Sequence, residues 1–175
     1  METKDGLAAA FGRVLEDFEQ ALSGLSGDDL SYRPDADANS IAWLCWHATR
    51  VQDDHIAHLA GRTQAWHDSS FEERFGYGFD TRDVGYGHTT EQVGQVRVDS
   101  PEILLDYLRA VHGRTLEYIS GVDADELSRV IDRNWDPPVT AGVRIVSVVD
   151  DCIQHAGQAA YVRGLIERRS SDSAS

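Results

Sequence analysis

The chain has 175 residues, 41% of them hydrophobic, which suits one compact fold burying about two-thirds of the surface its unfolded form exposes. Thirty acidic against sixteen basic residues leave a net charge of −14, which repels phosphate backbones and anionic lipid headgroups and argues against nucleic acid or a membrane as partner. No apolar run approaches the roughly 18 residues of a spanning helix, the charged opening METKDGLAAAFGRVLEDFEQ has no signal core, and only Cys45 and Cys152 are available for disulfides or a cysteine-rich zinc site, so a cytoplasmic protein is expected.

Leu7, Phe11, Val14, Phe18 and Leu22 recur at spacings of three and four and predict an amphipathic helix over 4–23, stopping near Gly24. After a turn with Pro34, Asn39 or Ser40 caps a second helix that runs through about Leu59, with Gly61 as its stop. Its apolar face holds Ile41, Leu44, Ala48, Val51 and Leu59. The stretch 62–99 is rich in glycine, aromatics and charge without a sustained period; it is too long for a simple connection and reads as a cover over something. Ser100-Pro101-Glu102 reads as a cap followed by proline at the first helical position. It opens a third helix through about Ile119, with Leu104, Tyr107, Leu108, Val111, Thr115 and Tyr118 inward and Gly121 at its end. Pro137 and Pro138 forbid a continuous helix over 122–142, where a short extended element fits at Arg129–Asp132. A fourth helix runs from about Val143 to Arg168, with Ile145, Val149, Cys152, Ala156, Ala159 and Ala160 on one face. The closing SSDSAS is expected to fray, leaving 1–169 as a single domain and 170–175 as its tail. The expected fold is all-α, an antiparallel four-helix bundle with one long crossover loop.

Sites in such bundles are built from side chains on facing helices. In DDCIQHAGQAAYVRG, residues 150–164, Asp151 and His155 stand four apart. With Cys152 at the centre of the apolar face, they fall about 100° and about 60° to one side, on the shoulder of the core. Their Cβ atoms then lie within about 5–6 Å, close enough to converge on one ion. The second helix offers His47, His55 and His58. An apolar face centred between Leu44 and Val51 puts His55 at its middle as a packed core histidine, and puts His47, beside Trp43, on the shoulder, with Asp54 and His58 on the same stripe. Spacing alone leaves His47 and His58 both open as a third ligand, and leaves an ordinary ion pair open for Asp151 and His155. His67, His88 and His112 read as exposed or satisfied in the core, Trp43, Trp46, Trp66 and Trp135 as packing residues, and Arg163 as a surface cap or ion-pair partner.

The segments SIAWLCWHATRVQDDHIAHLAG (40–61) and DDCIQHAGQAAYVRGLIE (150–167) together resemble the paired signatures of the DinB-like superfamily of metal-binding four-helix bundles, which includes mycothiol-dependent maleylpyruvate isomerases and bacillithiol transferases. The resemblance covers nearly the whole chain in helix order and loop length. It implies a divalent metal held by one histidine of the second helix and an H-x-x-x-H pair of the fourth. Motif by motif, these positions fall on His47 in LCWHATR, on Asp151, and on His155 in QHAGQ. Asp151 departs from the commoner histidine, but the mycothiol-dependent isomerases resemble this chain in carrying a carboxylate there. Two neutral imidazoles and one carboxylate would leave a divalent ion one net positive charge and an open position, as in catalytic rather than structural sites. Non-haem iron oxygenases use the same donor set, so the resemblance, and not the donors, points to zinc first and nickel second. What it implies is a thiol-dependent transferase or isomerase that takes a small-molecule electrophile and a low-molecular-weight thiol cosubstrate. The metal-bound water or thiol would be the reacting group, a bound thiol attacking as thiolate. The alternative is a metal-binding module with a stress-response role and no turnover. The isomerase-like members carry a further C-terminal domain, so the site here is expected to be completed by the 62–99 segment, with Trp66, Phe71, Phe75, Tyr77 and Tyr86 as its lid, or by a second subunit in a homodimer.

Overall fold

The stripe of Leu7, Phe11, Val14, Phe18 and Leu22 does wind into a helix, Thr3–Leu22 (α1), and Phe11, Val14, Phe18 and Leu22 are buried along it. The computed structural model describes residues 2–173, apart from the side chains of Ser170, Asp172 and Ser173. After α1 come Gly27–Ser31 (α2), Ile41–Ala60 (α3), Ala65–Asp68 (α4), Phe71–Phe75 (α5), Thr90–Gln95 (α6), Glu102–Ser120 (α7), Ala124–Ser128 (α8), the strands Val130–Asp132 (β1) and Val139–Thr140 (β2), and Ala141–Ser173 (α9). The four long helices are those expected, and the short ones lie in the connections.

The ends of the elements follow local chemistry. Ser40 caps α3 by accepting from the Trp43 amide at 3.2 Å, and Gly61 closes it in the left-handed conformation at φ 64°. Pro101 is the cap of α7 and not its first helical residue; its carbonyl accepts the first helical bond from the Leu105 amide at 3.0 Å. The extended element at 130–132 finds its partner in β2, pairing antiparallel through Val130↔Thr140 and Asp132↔Val139. Helix α9 exceeds the expected 143–168 at both ends, so much of the expected frayed tail is helical, and residues 174–175 lie outside the described residues. Ala160 is exposed, and Val148, Val162 and Ile166 complete the buried stripe instead.

Both α3 and α1 pack against α9 and α7, which places α1 and α3 on one diagonal of the bundle. Side-chain contacts give the directions. His55, late in α3, meets Arg144 at the start of α9, while His47 meets His155 further along, so these two helices are antiparallel. Arg163, late in α9, donates to the carbonyls of Gln20, Ala21 and Ser23 at the end of α1, so α1 and α9 run the same way. Arg62, just past α3, reaches Glu117 and the Arg114 carbonyl late in α7, so α3 and α7 also run together. Consecutive helices that run in parallel need a connection as long as the bundle, roughly 30 Å for a 20-residue helix, and that is the task of 62–99.

The burial of α3 corrects one expectation. Its buried face is centred on Ile41, Cys45, Ala48, Gln52, Ile56 and Leu59, so His55 is turned aside, with 33% of its side chain exposed, and is not a core histidine. The reason is Gln52, which sits 1% exposed at mid-face because its amide donates to Thr115 Oγ1 at 2.8 Å. A polar group with its bond made is not costly to bury. On the opposite side of α3, the 62–99 segment covers Trp43, Trp46, Arg50 and Asp53. Arg50 is fully buried and donates to Gln64 Oε1 (2.7 Å), the Tyr107 hydroxyl (3.3 Å) and the carbonyls of Asp83 (3.1 Å) and Thr81 (3.2 Å). Asp53, 3.9 Å from Arg50, accepts from the amides of Ala65 and Trp66 and from the Tyr107 hydroxyl. No helix among the described residues is long and apolar enough to cross a membrane.

Asp53→Ala would leave a buried guanidinium without its counter-charge and three donors without an acceptor. The expected cost is about 3–5 kcal/mol, seen as a lower urea midpoint with an unchanged slope.

Candidate metal centre

Antiparallel packing of α3 on α9 brings His47, Asp151 and His155 together, one potential ligand atom from each lying within 4.8 Å of the others. His155 Nε2 stands 3.6 Å from Asp151 Oδ1, and the two imidazole rings meet at 4.8 Å and 75°. Each imidazole is oriented from behind. His47 Nδ1–H donates to the Val84 carbonyl, and His155 Nδ1–H donates to Gln158 Oε1 at 3.0 Å. Both acceptors fix the tautomer that leaves the Nε2 lone pair free for the site.

Asp151 supplies a test of what fits. Its Oδ2 is buried without a hydrogen-bond partner, as are Trp46 Nε1 and His112 Nδ1 among the described residues. Of these three atoms, only the carboxylate oxygen belongs to the cluster. An unpaired buried carboxylate oxygen is costly, and a cation shared with two imidazoles removes that cost, so these residues fit a divalent metal. Their electrostatics agree. Burial would raise the Asp151 pKa, but the hydrogen bond and charge of His155, with the nearby His47 and His55, bring it below the usual range. Burial pulls His155 down, yet the bonds to Asp151 and Gln158 outweigh it and raise that imidazole above its ordinary value. His47 is lowered, chiefly by burial and also by the neighbouring His155. These shifts favour an anionic Asp151 and a neutral His47, and make His155 the ligand at which a proton competes most with a metal.

The cover over this site is a piece of main chain. Trp43 stacks on His47 at 4.6 Å and 16° and meets His155 edge-on at 6.1 Å. Its indole N–H donates to His88 Nδ1 (3.1 Å), and His88 Nε2–H in turn donates to Asp83 Oδ2 (3.0 Å). Asp83 Oδ1 accepts from the Gly85 amide at 2.7 Å. Gly85 has φ +91°, and a Cβ there would lie 2.9 Å from both His47 Nδ1 and the Trp46 ring, so this close approach requires glycine. Trp43 packs and His88 is satisfied within the fold, as expected; their tie to the loop behind His47 is the part that spacing does not show. The paired glycines of DVGYG, residues 83–87, were the available signal.

The expected aromatic lid is corrected accordingly. Trp66, Phe71 and Phe75 pack on Tyr107 inside the fold, Tyr77 packs on Trp46 and Phe79, and Tyr86 is 93% exposed. His58 is exposed, and His67 pairs with Glu72 at 3.1 Å, away from the cluster. Arg163 caps α1 and pairs with Glu167, as expected. The loop of the same chain reaches His47, so on this side no second subunit is needed to complete the site. A groove of about 440 Å³ opens at Asp151 and continues along Val51 and Val148.

A family profile described as mycothiol-S-transferase matches residues 6–168. A crystal structure described as that of a conserved protein from Enterococcus faecalis is similar at a TM-score of 0.87 and 34% identity, over 93% of this chain and 96% of that one. No curated protein sequence matches the chain.

The geometry gives three expected outcomes. Purified protein should carry about one divalent ion per chain by mass spectrometry of the metal; His47→Ala should abolish it, whereas His55→Ala should keep it at a stability cost below about 1 kcal/mol. Affinity should fall as pH drops through the raised range of His155, because proton and metal compete for the same nitrogen. Gly85→Ala should weaken metal binding about 10–100-fold in a chelator competition, the range for disturbing a partner behind a ligand.

Proposed function

This chain belongs to the mycothiol-S-transferase family, and from that premise we propose that it joins a low-molecular-weight thiol to a small electrophile at His47, Asp151 and His155. The observation that carries the reading is the buried, partnerless Asp151 Oδ2 beside two imidazoles whose Nε2 atoms face the site. A divalent ion held there, zinc before nickel, would keep one net positive charge and an open position, and would hold as thiolate a thiol that is only a few per cent ionised when free at pKa about 8.5.

The chain's own thiols support a nucleophile brought by the cosubstrate. Cys45 and Cys152 are fully buried; burial pushes the Cys45 thiol up to about 12 and raises Cys152 as well. Neither is ionised or reachable. The protein's share of the chemistry is then orientation and exclusion of water. The Val84 carbonyl and Gln158 hold the imidazoles, while Trp43 and the Gly85 backbone close the His47 side. A reaction that consumes a reduced thiol belongs in the cytoplasm, where thiols are kept reduced.

Metal-loaded protein given mycothiol, bacillithiol or glutathione with a panel of electrophiles should form the thioether, read by mass spectrometry, and His47→Ala should form none. In a cobalt-substituted sample the productive thiol should produce a sulfur charge-transfer band. Absence of that band with every thiol, in protein that demonstrably holds cobalt, overturns the transferase reading in favour of a metal-binding module without turnover.

A further inference from the structure

The antiparallel pairing of α3 and α9 sets polar residues opposite one another at two levels. At the first, His47 faces Asp151 and His155. At the second, His55 faces Arg144, with Nη1 and Nδ1 3.1 Å apart. Val51 and Val148 line the stretch between, and Trp135 and Val139 of the β-hairpin segment form a further wall, so that one groove of about 440 Å³ joins Asp151 to Arg144. The seven residues from Arg144 to Asp151 along α9 put roughly 10 Å between the two levels.

Several arginines of this acidic chain are neutralised by a neighbouring acid. Arg62 pairs with Glu117, Arg114 with Asp68, Arg129 with Glu126 and Arg163 with Glu167. Among the described residues Arg144 has no carboxylate partner, and its side chain is half-buried against the histidine. The nearest acid to that histidine, Asp54, lies 3.6 Å from His55 Nδ1 and is itself held by Gln64 at 2.7 Å. A guanidinium cannot accept, so His55 Nδ1 must, which leaves the imidazole neutral with its proton on Nε2. Burial, and then the charge of Arg144, favour that neutral form. This end of the groove therefore offers the Arg144 guanidinium, with one full positive charge, the His55 imidazole and the Ser147 hydroxyl, with Asp54 turned toward Gln64.

We propose that the groove seats the electrophile, an apolar small molecule carrying a carboxylate that Arg144 grips in its planar fork, with His55 as second donor, while its reactive carbon lies toward Asp151. The assignment rests on the triad being the reacting centre. The carboxylate's charge and geometry select the substrate, and the valine-lined middle with Trp135 takes its body.

The test uses 4-phenylbutyrate and its neutral amide, titrated by calorimetry into wild-type protein and Arg144→Gln, each metal-loaded and metal-free. Wild type should bind the carboxylate at least about tenfold more tightly than the amide in both metal states, the size of one charge-assisted hydrogen bond. Arg144→Gln should lose that preference with its melting temperature and metal content unchanged, and Trp135→Ala should weaken both probes alike. Equal binding of the two probes by wild type overturns the proposal, as does a preference that survives Arg144→Gln. A preference seen only in metal-loaded protein and indifferent to Arg144 makes the metal the anchor; the groove assignment then fails while the metal site stands. A preference lost with Arg144 in both metal states upholds the groove even where no thiol transfer is found, so the two readings fail separately.

Discussion

A guanidinium buried in α3 holds the site's surroundings in place. Taking a charge such as Arg50 out of water is worth several kcal/mol against folding unless its donors and its charge are all met. Here they are met by Asp53, Gln64, Tyr107 and two carbonyls of the loop at 81–83, with the Trp66 ring stacked on the guanidinium at 4.6 Å. The loop is thus fastened to the same helix that carries His47, one turn away. Release the guanidinium and the Val84 carbonyl loses its position behind His47, so the stability of the crossover and the orientation of a proposed metal ligand depend on one set of bonds.

The second constraint is how closely α3 and α9 approach. Ala48 on one helix and Cys152, Ala156 and Ala159 on the other are all buried, and Cys152 Sγ lies 3.5 Å from the Ala48 carbonyl. Such small side chains let two backbones come near, whereas larger ones at the contact would hold the axes further apart. An aspartate is one methylene shorter than a glutamate, and it shares a ligand sphere with His47 only if the helices are this close. The small-residue face and the choice of carboxylate belong together. Because the helices are antiparallel, the same approach also sets His55 against Arg144 two turns away.

What was legible in the sequence follows this division. The long helices were written in apolar stripes and in caps such as Ser40 and Gly61, and the shoulder position of Asp151 and His155 came from their angles to Cys152 on the apolar face. The choice of His47 did not; spacing left His58 equally open, and only the motif LCWHATR separated them. The rotation of α3 was misjudged because hydropathy counts Gln52 as an outside residue, when its bond to Thr115 lets it occupy the middle of the core. Arg50 and Asp53 escaped for the same reason. A polar residue is buried when its partner is, and partners that lie ten to sixty positions away are invisible to a local pattern. Aromatic content did mark 62–99 as a cover, but the rings went into the core, and glycine let the backbone do the covering.

Charge arithmetic connects the two ends of the groove. With both imidazoles neutral and Asp151 ionised, a divalent ion leaves the triad with one positive charge, and a thiolate brings it to zero. The positive charge remaining in the groove is then Arg144. The molecule as a whole carries −14 and repels anions, but that field is screened over about 8–10 Å of salt solution. A half-buried guanidinium is screened far less and acts at contact. An anionic substrate gains most where a guanidinium without a carboxylate partner borders an apolar groove, as Arg144 does. This contrast gives Arg144 more discriminating power in an acidic protein than the same residue would have in a basic one.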